Sequence, residues 1–138
     1  MIPNYRAWYS SEMWVVAKFD LWGDPYQTTC DLAPLLPNKD ELFDVLLTEV
    51  VLMQSTGLKD INGVEIYEGD IITWESPEMT QSTWIGTVFR NGAEFSVRKS
   101  KKTYSTGAWL NSACRPTNNI ITVIGDIHQN QELWEEER

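Results

Sequence analysis

The sequence predicts a mainly β fold. Three observations carry this: short stretches of strand length separated by Gly, Asn and Pro, two Asn-Gly pairs at 62–63 and 91–92, and seven tryptophans. Asn-Gly between alternating segments signals a tight hairpin, and large aromatics suit a pleated, half-buried surface. With 138 residues the chain can build one real core or two very small ones.

The elements follow in order. Tyr5–Trp8 reads as a short strand. Met13, Val15, Ala17 and Phe19 then alternate with Trp14, Val16, Lys18 and Asp20, which predicts a strand with the first set inward. Gly23, Asp24 and Pro25 end it. Pro34 and Pro37 argue against a regular element over 30–38. Asn38 followed by Glu41 resembles a capping box, and Leu42, Val45 and Leu46 share a helical face, so a short helix is expected over 39–47. Glu49–Gln54 is an apolar run of strand length.

Asn62-Gly63 predicts a type I′ turn between two strands, and Asp70–Trp74 follows Gly69 as another strand. Ala93, Phe95 and Val97 alternate with Glu94, Ser96 and Arg98 beyond Asn91-Gly92, a second hairpin. Residues 99–118 read as irregular apart from Ala108–Leu110. A last strand covers "NIITVIGDI", and Asn130 starts a helical turn or two. The core expected from this pattern includes Trp8, Val15, Phe19, Val51, Met53, Ile66, Ile71, Val88, Phe95, Val97, Ile121, Val123 and Trp134. Regular punctuation of this kind suits a small barrel or two sheets.

The glycine-rich stretch from Ser55 to Ile72 invites a ligand reading, and its spacing argues against one. No glycine there continues into the Gly-Lys-Ser/Thr of a phosphate loop, and no G-x-G-x-x-G run exists. A calcium loop fails in both registers. With Gly63 at the sixth position Leu58 would stand first, and with Asp60 first Glu65 would stand sixth. The acids Asp60, Glu65, Glu68 and Asp70 leave a metal-dependent hydrolase as a remote alternative; charged wet faces and turn-starting Asp are the preferred account of them. His128 is the single histidine, with no nucleophile motif beside it, and Cys30, Cys114 and His128 lack zinc-finger spacing. No catalytic residue, metal site or cofactor is therefore expected.

The net charge is −9, unevenly spread. Residues 1–70 hold twelve acids and four bases, and residues 71–138 hold eight and seven. Arg90, Arg98, Lys99, Lys101 and Lys102 form the one basic segment and are the candidate nucleic-acid contacts, with Tyr104 and Trp109 available for stacking. A solvated loop explains them as well. The acidic half raises the converse idea, imitation of DNA. No apolar run reaches membrane-spanning length and no basic-then-apolar leader opens the chain, so reduced thiols and a cytoplasmic location are expected.

Three phrases carry a kinship. "YRAW" (5–8), "LMQSTGLKDINGVEIYEGDII" (52–72) and "VIGDIHQNQELW" (123–134) together resemble the YopX family of phage and prophage proteins. Residues 20–48 and 76–118 carry no matching phrase. The resemblance implies one domain over 1–138, divisible into N-terminal strands with a short helix (1–54) and a small SH3-like barrel (55–138). It implies a phage or prophage protein inside a bacterium, with no catalytic residues to transfer. The expected function is a non-catalytic protein-binding or scaffold module, acting on a host or phage protein or as a homo-oligomer.

Overall fold

The computed structural model describes residues 4–22, 24, 26–36, 39–76, 82–91, 94–100, 103–109 and 120–135. Among them the protein is mainly β, in two compact units, Met1–Ser55 and Thr56–Arg138. The first holds β1 (Tyr5–Tyr9), β2 (Glu12–Asp20), β3 (Thr29–Pro34), β4 (Leu42–Leu46), a 3-10 turn (Leu47–Glu49) and the start of β5 (Val51–Lys59). The second holds the rest of β5, then β6 (Glu65–Tyr67), β7 (Asp70–Ser76), β8 (Ser82–Asn91), β9 (Glu94–Ser100), β10 (Thr103–Trp109), β11 (Ile120–Asp126) and the helix α1 (Gln131–Glu135). Hydrogen bonding orders the strands β4-β3-β2-β1-β5-β6 in one sheet and β10-β9-β8-β7-β11 in the other. Neither closes into a barrel among the described residues.

In the first unit, β1 and β2 meet at Ser10-Ser11, both with positive φ (51° and 61°), and Tyr9 pairs with Glu12. This is the type I′ geometry that the sequence led one to expect at Asn62-Gly63. The indole N–H of Trp14 donates to the Tyr9 carbonyl at 3.1 Å, tying the hairpin end. The inward face of β2 differs from the simple alternation. Trp14 and Val16 join the core, Val15 is exposed, and a register shift between Val16 and Lys18 returns Phe19 to the inner side. There Tyr5 meets Phe19 edge to face, ring centres 5.4 Å apart. Ala7, Trp14, Cys30, Leu32 and Val45 form this unit's buried cluster.

β3 runs through the segment that the prolines seemed to exclude. Pro34 is its last residue, opposite Trp14, where the missing N–H costs little. The expected helix over 39–47 is instead strand β4 followed by the 3-10 turn. Between the Cys30–Val45 and Leu32–Leu42 pairs, β4 carries an extra residue; Asp44 takes φ 55°, and its N–H donates to Asp31 Oδ1 at 3.0 Å. The bulge keeps Leu42 and Val45, three apart, on the same core. That spacing imitates a helix.

β5 begins in the first unit, with Met53 buried and Val51, an expected core residue, exposed. Gly57 (φ 78°) lies within the strand, and Thr56 Oγ1 donates to the Ile66 carbonyl at 2.7 Å, fixing β5 against β6. The turn at 60–64 is not type I′. Only Gly63 is left-handed (φ 81°), its N–H reaches the Asp60 carbonyl at 3.0 Å, and the Asp60 N–H donates to Val64 O at 2.8 Å. The result is a three-residue loop, a β-turn followed by a left-handed glycine.

The second unit is organised on Ile66, Ile72, Val88, Val97 and Ile121, with Leu58, Trp74, Phe95 and Val123 packed around them. Burying side chains of this size stabilises by roughly 1.5–3 kcal/mol each. The β8–β9 hairpin forms one residue later than the Asn-Gly pair suggested: Asn91 pairs with Glu94, so Val88 faces Val97. Gly92 itself lies outside the described residues, as does the side chain of Trp134. Within 99–118 the described residues are more regular than their polarity predicts, since β9 continues to Ser100 and β10 spans Thr103–Trp109.

Candidate functional site

The acids of the glycine-rich stretch are the first place to look for chemistry. Asp60 is 7% exposed, and both its carboxylate oxygens accept backbone N–H groups. Oδ1 takes Asn62 at 2.8 Å and Val64 at 2.9 Å, while Oδ2 takes Val123 of β11 at 2.9 Å. Ile61 N–H also reaches Ile121 O at 2.9 Å. One carboxylate thus closes its own turn and joins it to the edge strand of the second sheet.

Asp70 and Asp126 repeat the device. Asp70 Oδ2 accepts the Tyr67 N–H at 2.7 Å, and Gly69 (φ 89°) lets the chain turn between β6 and β7. Asp126 Oδ1 accepts the N–H groups of His128 and Gln129 at 2.9 and 3.0 Å, and Oδ2 takes Gln129 Nε2 at 2.7 Å. Asn130 answers from the start of α1, its Oδ1 accepting the Asp126 N–H at 3.2 Å. Asp70 and Asp126 are both buried and stand opposite each other in the β7–β11 ladder. Short Asp side chains bonding nearby amides are a turn device, and buried carboxylates are stabilised by such charge-assisted bonds.

Among the described residues no three His, Cys, Asp or Glu side chains gather as a metal site. Cys30 is buried, and burial followed by the charge of Asp31 pushes its thiol above the usual value. Cys114 lies outside the described residues. Of the basic candidates, Arg90 is exposed on β8. Arg98 and Lys99 belong to β9 with their side chains outside the description, and Lys101 and Lys102 lie outside it altogether.

The structure presents a different candidate, missed because 39–47 read as a helix. The first unit exposes large apolar side chains around β4: Phe43 at 66%, Leu46 at 38%, and, in the β2–β3 loop, Trp22 at 59% and Tyr26 at 74%. The described residues of that loop are tied to one another by hydrogen bonds. Thr28 is buried and its hydroxyl bonds Trp22 N, Trp22 O and Asp24 O, while Asp24 Oδ1 accepts the Tyr26 N–H at 2.9 Å. These bonds hold the backbone that carries Trp22 and Tyr26, and the exposed large apolar side chains make this face a candidate contact surface. The available sequence signal was the cluster of Trp22, Tyr26 and Phe43 in the acidic half of the chain.

These features define a small two-sheet β protein whose buried acids are turn clamps and whose exposed aromatics face solvent. The chain belongs to the YopX family: the model described as YopX protein matches residues 4–135. Two solved structures are similar along nearly their whole length. Protein yopX from Bacillus subtilis has a TM-score of 0.63 at 23% identity, covering 96% of this chain and 98% of that one. Protein EF1440 from Enterococcus faecalis has a TM-score of 0.55 at 25% identity, covering 98% and 99%. No curated protein matches the chain. No helix among the described residues is long and apolar enough to cross a membrane.

Proposed function

We propose that the protein is a non-catalytic binding or scaffold module, an accessory protein of a phage or prophage that works by protein contact in a bacterial cytoplasm. The observation that supports this reading is the set of large apolar side chains that the first unit exposes, Trp22 and Tyr26 between β2 and β3 and Phe43 and Leu46 on β4. The use of Asp60, Asp70 and Asp126 as backbone clamps also speaks against their service as metal ligands. Within the same proposal the second unit is of the SH3-like type, its five-stranded sheet joined at the β11 edge by the β5–β6 turn.

Light scattering on the purified protein and affinity capture from a bacterial lysate test the reading. Self-assembly, or a protein retained in proportion to bait, is the expected result. A strict monomer that retains nothing overturns it.

Nucleic-acid contact through Arg90 and the segment Arg98–Lys102 is the second reading, favoured by the exposure of Arg90. It requires a mobility shift at low salt that Lys101→Glu with Lys102→Glu abolishes and added salt weakens steeply.

A further inference from the structure

We propose that the open edge of β4 is the docking site, and that its occupant is an extended segment of another protein carrying alternating apolar and basic residues. This rests on the protein-binding reading above and names its surface and the chemistry of its partner.

Among the described residues β4 is the last strand of its sheet, with β3 on one side and no strand on the other. An edge of this kind offers backbone N–H and C=O groups to an added strand, which supplies affinity through the ladder and specificity through alternate side chains. The exposed apolar groups lie along it. Phe43 and Leu46 belong to β4 itself. The β2–β3 loop sits at its C-terminal end, because Leu46 pairs with Thr29, Leu47 N–H donates to Thr28 O at 3.0 Å, and the Thr28 hydroxyl holds Trp22. The C-terminal end of β4 is thus tied to the loop that carries the exposed Trp22 and Tyr26.

Charge selects the occupant. Asp40, Glu41, Asp44 and Glu49 are all exposed on or beside β4. Lys39, the only base between residues 19 and 50, is engaged in an ion pair with Glu12. A second copy pairing through the same edge would bring these carboxylates against their own kind, and like charges across a ladder are destabilising. A segment bearing Lys or Arg between its apolar residues meets complementary charge on every approach, which raises the association rate and excludes acidic competitors.

The test uses the full chain and a fluorescent eight-residue peptide of alternating Lys and Val, with its Glu/Val counterpart as control. The Lys/Val peptide is expected to bind and the Glu/Val peptide to fail. Asp40→Lys with Glu41→Lys, and separately Phe43→Lys, should each weaken binding by about tenfold or more, while Ile61→Lys, at an exposed position of the other unit, leaves it unchanged. Circular dichroism confirms that each variant is folded. Equal binding of both peptides, or equal effects of Phe43→Lys and Ile61→Lys, overturns the proposal. So does a wild-type dimer dispersed by Phe43→Lys, since a second copy would then cover the edge. If a bacterial protein is still retained by Phe43→Lys as by wild type, the β4 assignment alone fails. If wild type is a strict monomer that retains nothing and binds neither peptide, the broader reading fails with it.

Discussion

Asp60 Oδ2 accepts the backbone N–H of Val123 at 2.9 Å, across 63 positions of sequence. The same carboxylate holds Asn62 and Val64 within its own turn. A residue that reads as a turn-former is therefore also a long-range tie between the β5–β6 hairpin and β11. Removing it strands three backbone donors where the site is 7% exposed. Asp60→Ala is expected to destabilise by about 3 kcal/mol, with Asp60→Asn, which keeps one acceptor, costing about half. Urea titration followed by tryptophan fluorescence measures both. A loss below about 0.5 kcal/mol for the alanine variant would show that the three bonds are dispensable.

The β1–β2 turn uses Ser10-Ser11 where both residues have positive φ. Asn-Gly adopts that conformation with far less strain, and both serines are exposed. Replacing the pair by Asn-Gly should stabilise the protein by roughly 0.5–1 kcal/mol, read as a higher urea midpoint at unchanged slope. A lower midpoint would mean that the serines make contacts that outweigh the backbone gain.

Gly125 sits at the register shift of β11, and a Cβ added there would lie 2.5 Å from Asn130 Oδ1 and 2.9 Å from Asn130 Cβ. Gly125→Ala should cost roughly 1–3 kcal/mol by forcing Asn130 away from the Asp126 N–H. In an Asn130→Gly background the same substitution should cost clearly less, so a double-mutant cycle reports the clash itself. Strict additivity would place the cost elsewhere.

Cys30 supplies a pH dependence. Its buried thiol, beside the charge of Asp31, is held protonated above its usual 9.0. The unfolded chain ionises first, so the folded state binds more protons there and stability falls as pH rises. The contribution is full below the ordinary thiol value and is lost as pH climbs through the folded one. Unfolding free energy should therefore decline as pH rises through 9.0 and above more steeply in wild type than in Cys30→Ala. Parallel curves would assign the alkaline loss to other groups.

The sequence was most legible where one residue settles the backbone locally. Gly57, Gly63 and Gly69 all take positive φ, and the alternation of Phe95 and Val97 reports the strand they belong to. It misled where a bulge resets the period. In β2 the register shift after Val16 puts Trp14, Val16 and Phe19 on one core, and in β4 the bulge at Asp44 does the same for Leu42 and Val45. Both give spacings that two-fold alternation does not predict and that a helix would. The candidate site went unseen for the same reason, since Phe43 and Leu46 become an edge only once 42–46 is a strand with a single neighbour among the described residues.

By itself, the sequence determined the β class, the family, and the chain turns within "STGLKDINGVEIYEGDII". Those properties follow from φ preferences and short-range hydrogen bonding, which a residue and its near neighbours decide. Only the tertiary structure decided that Asp60 reaches Val123, that Asp70 faces Asp126, and that β4 ends its sheet with aromatics in water. These depend on register and strand order, which are set by the summed burial of residues far apart in the chain.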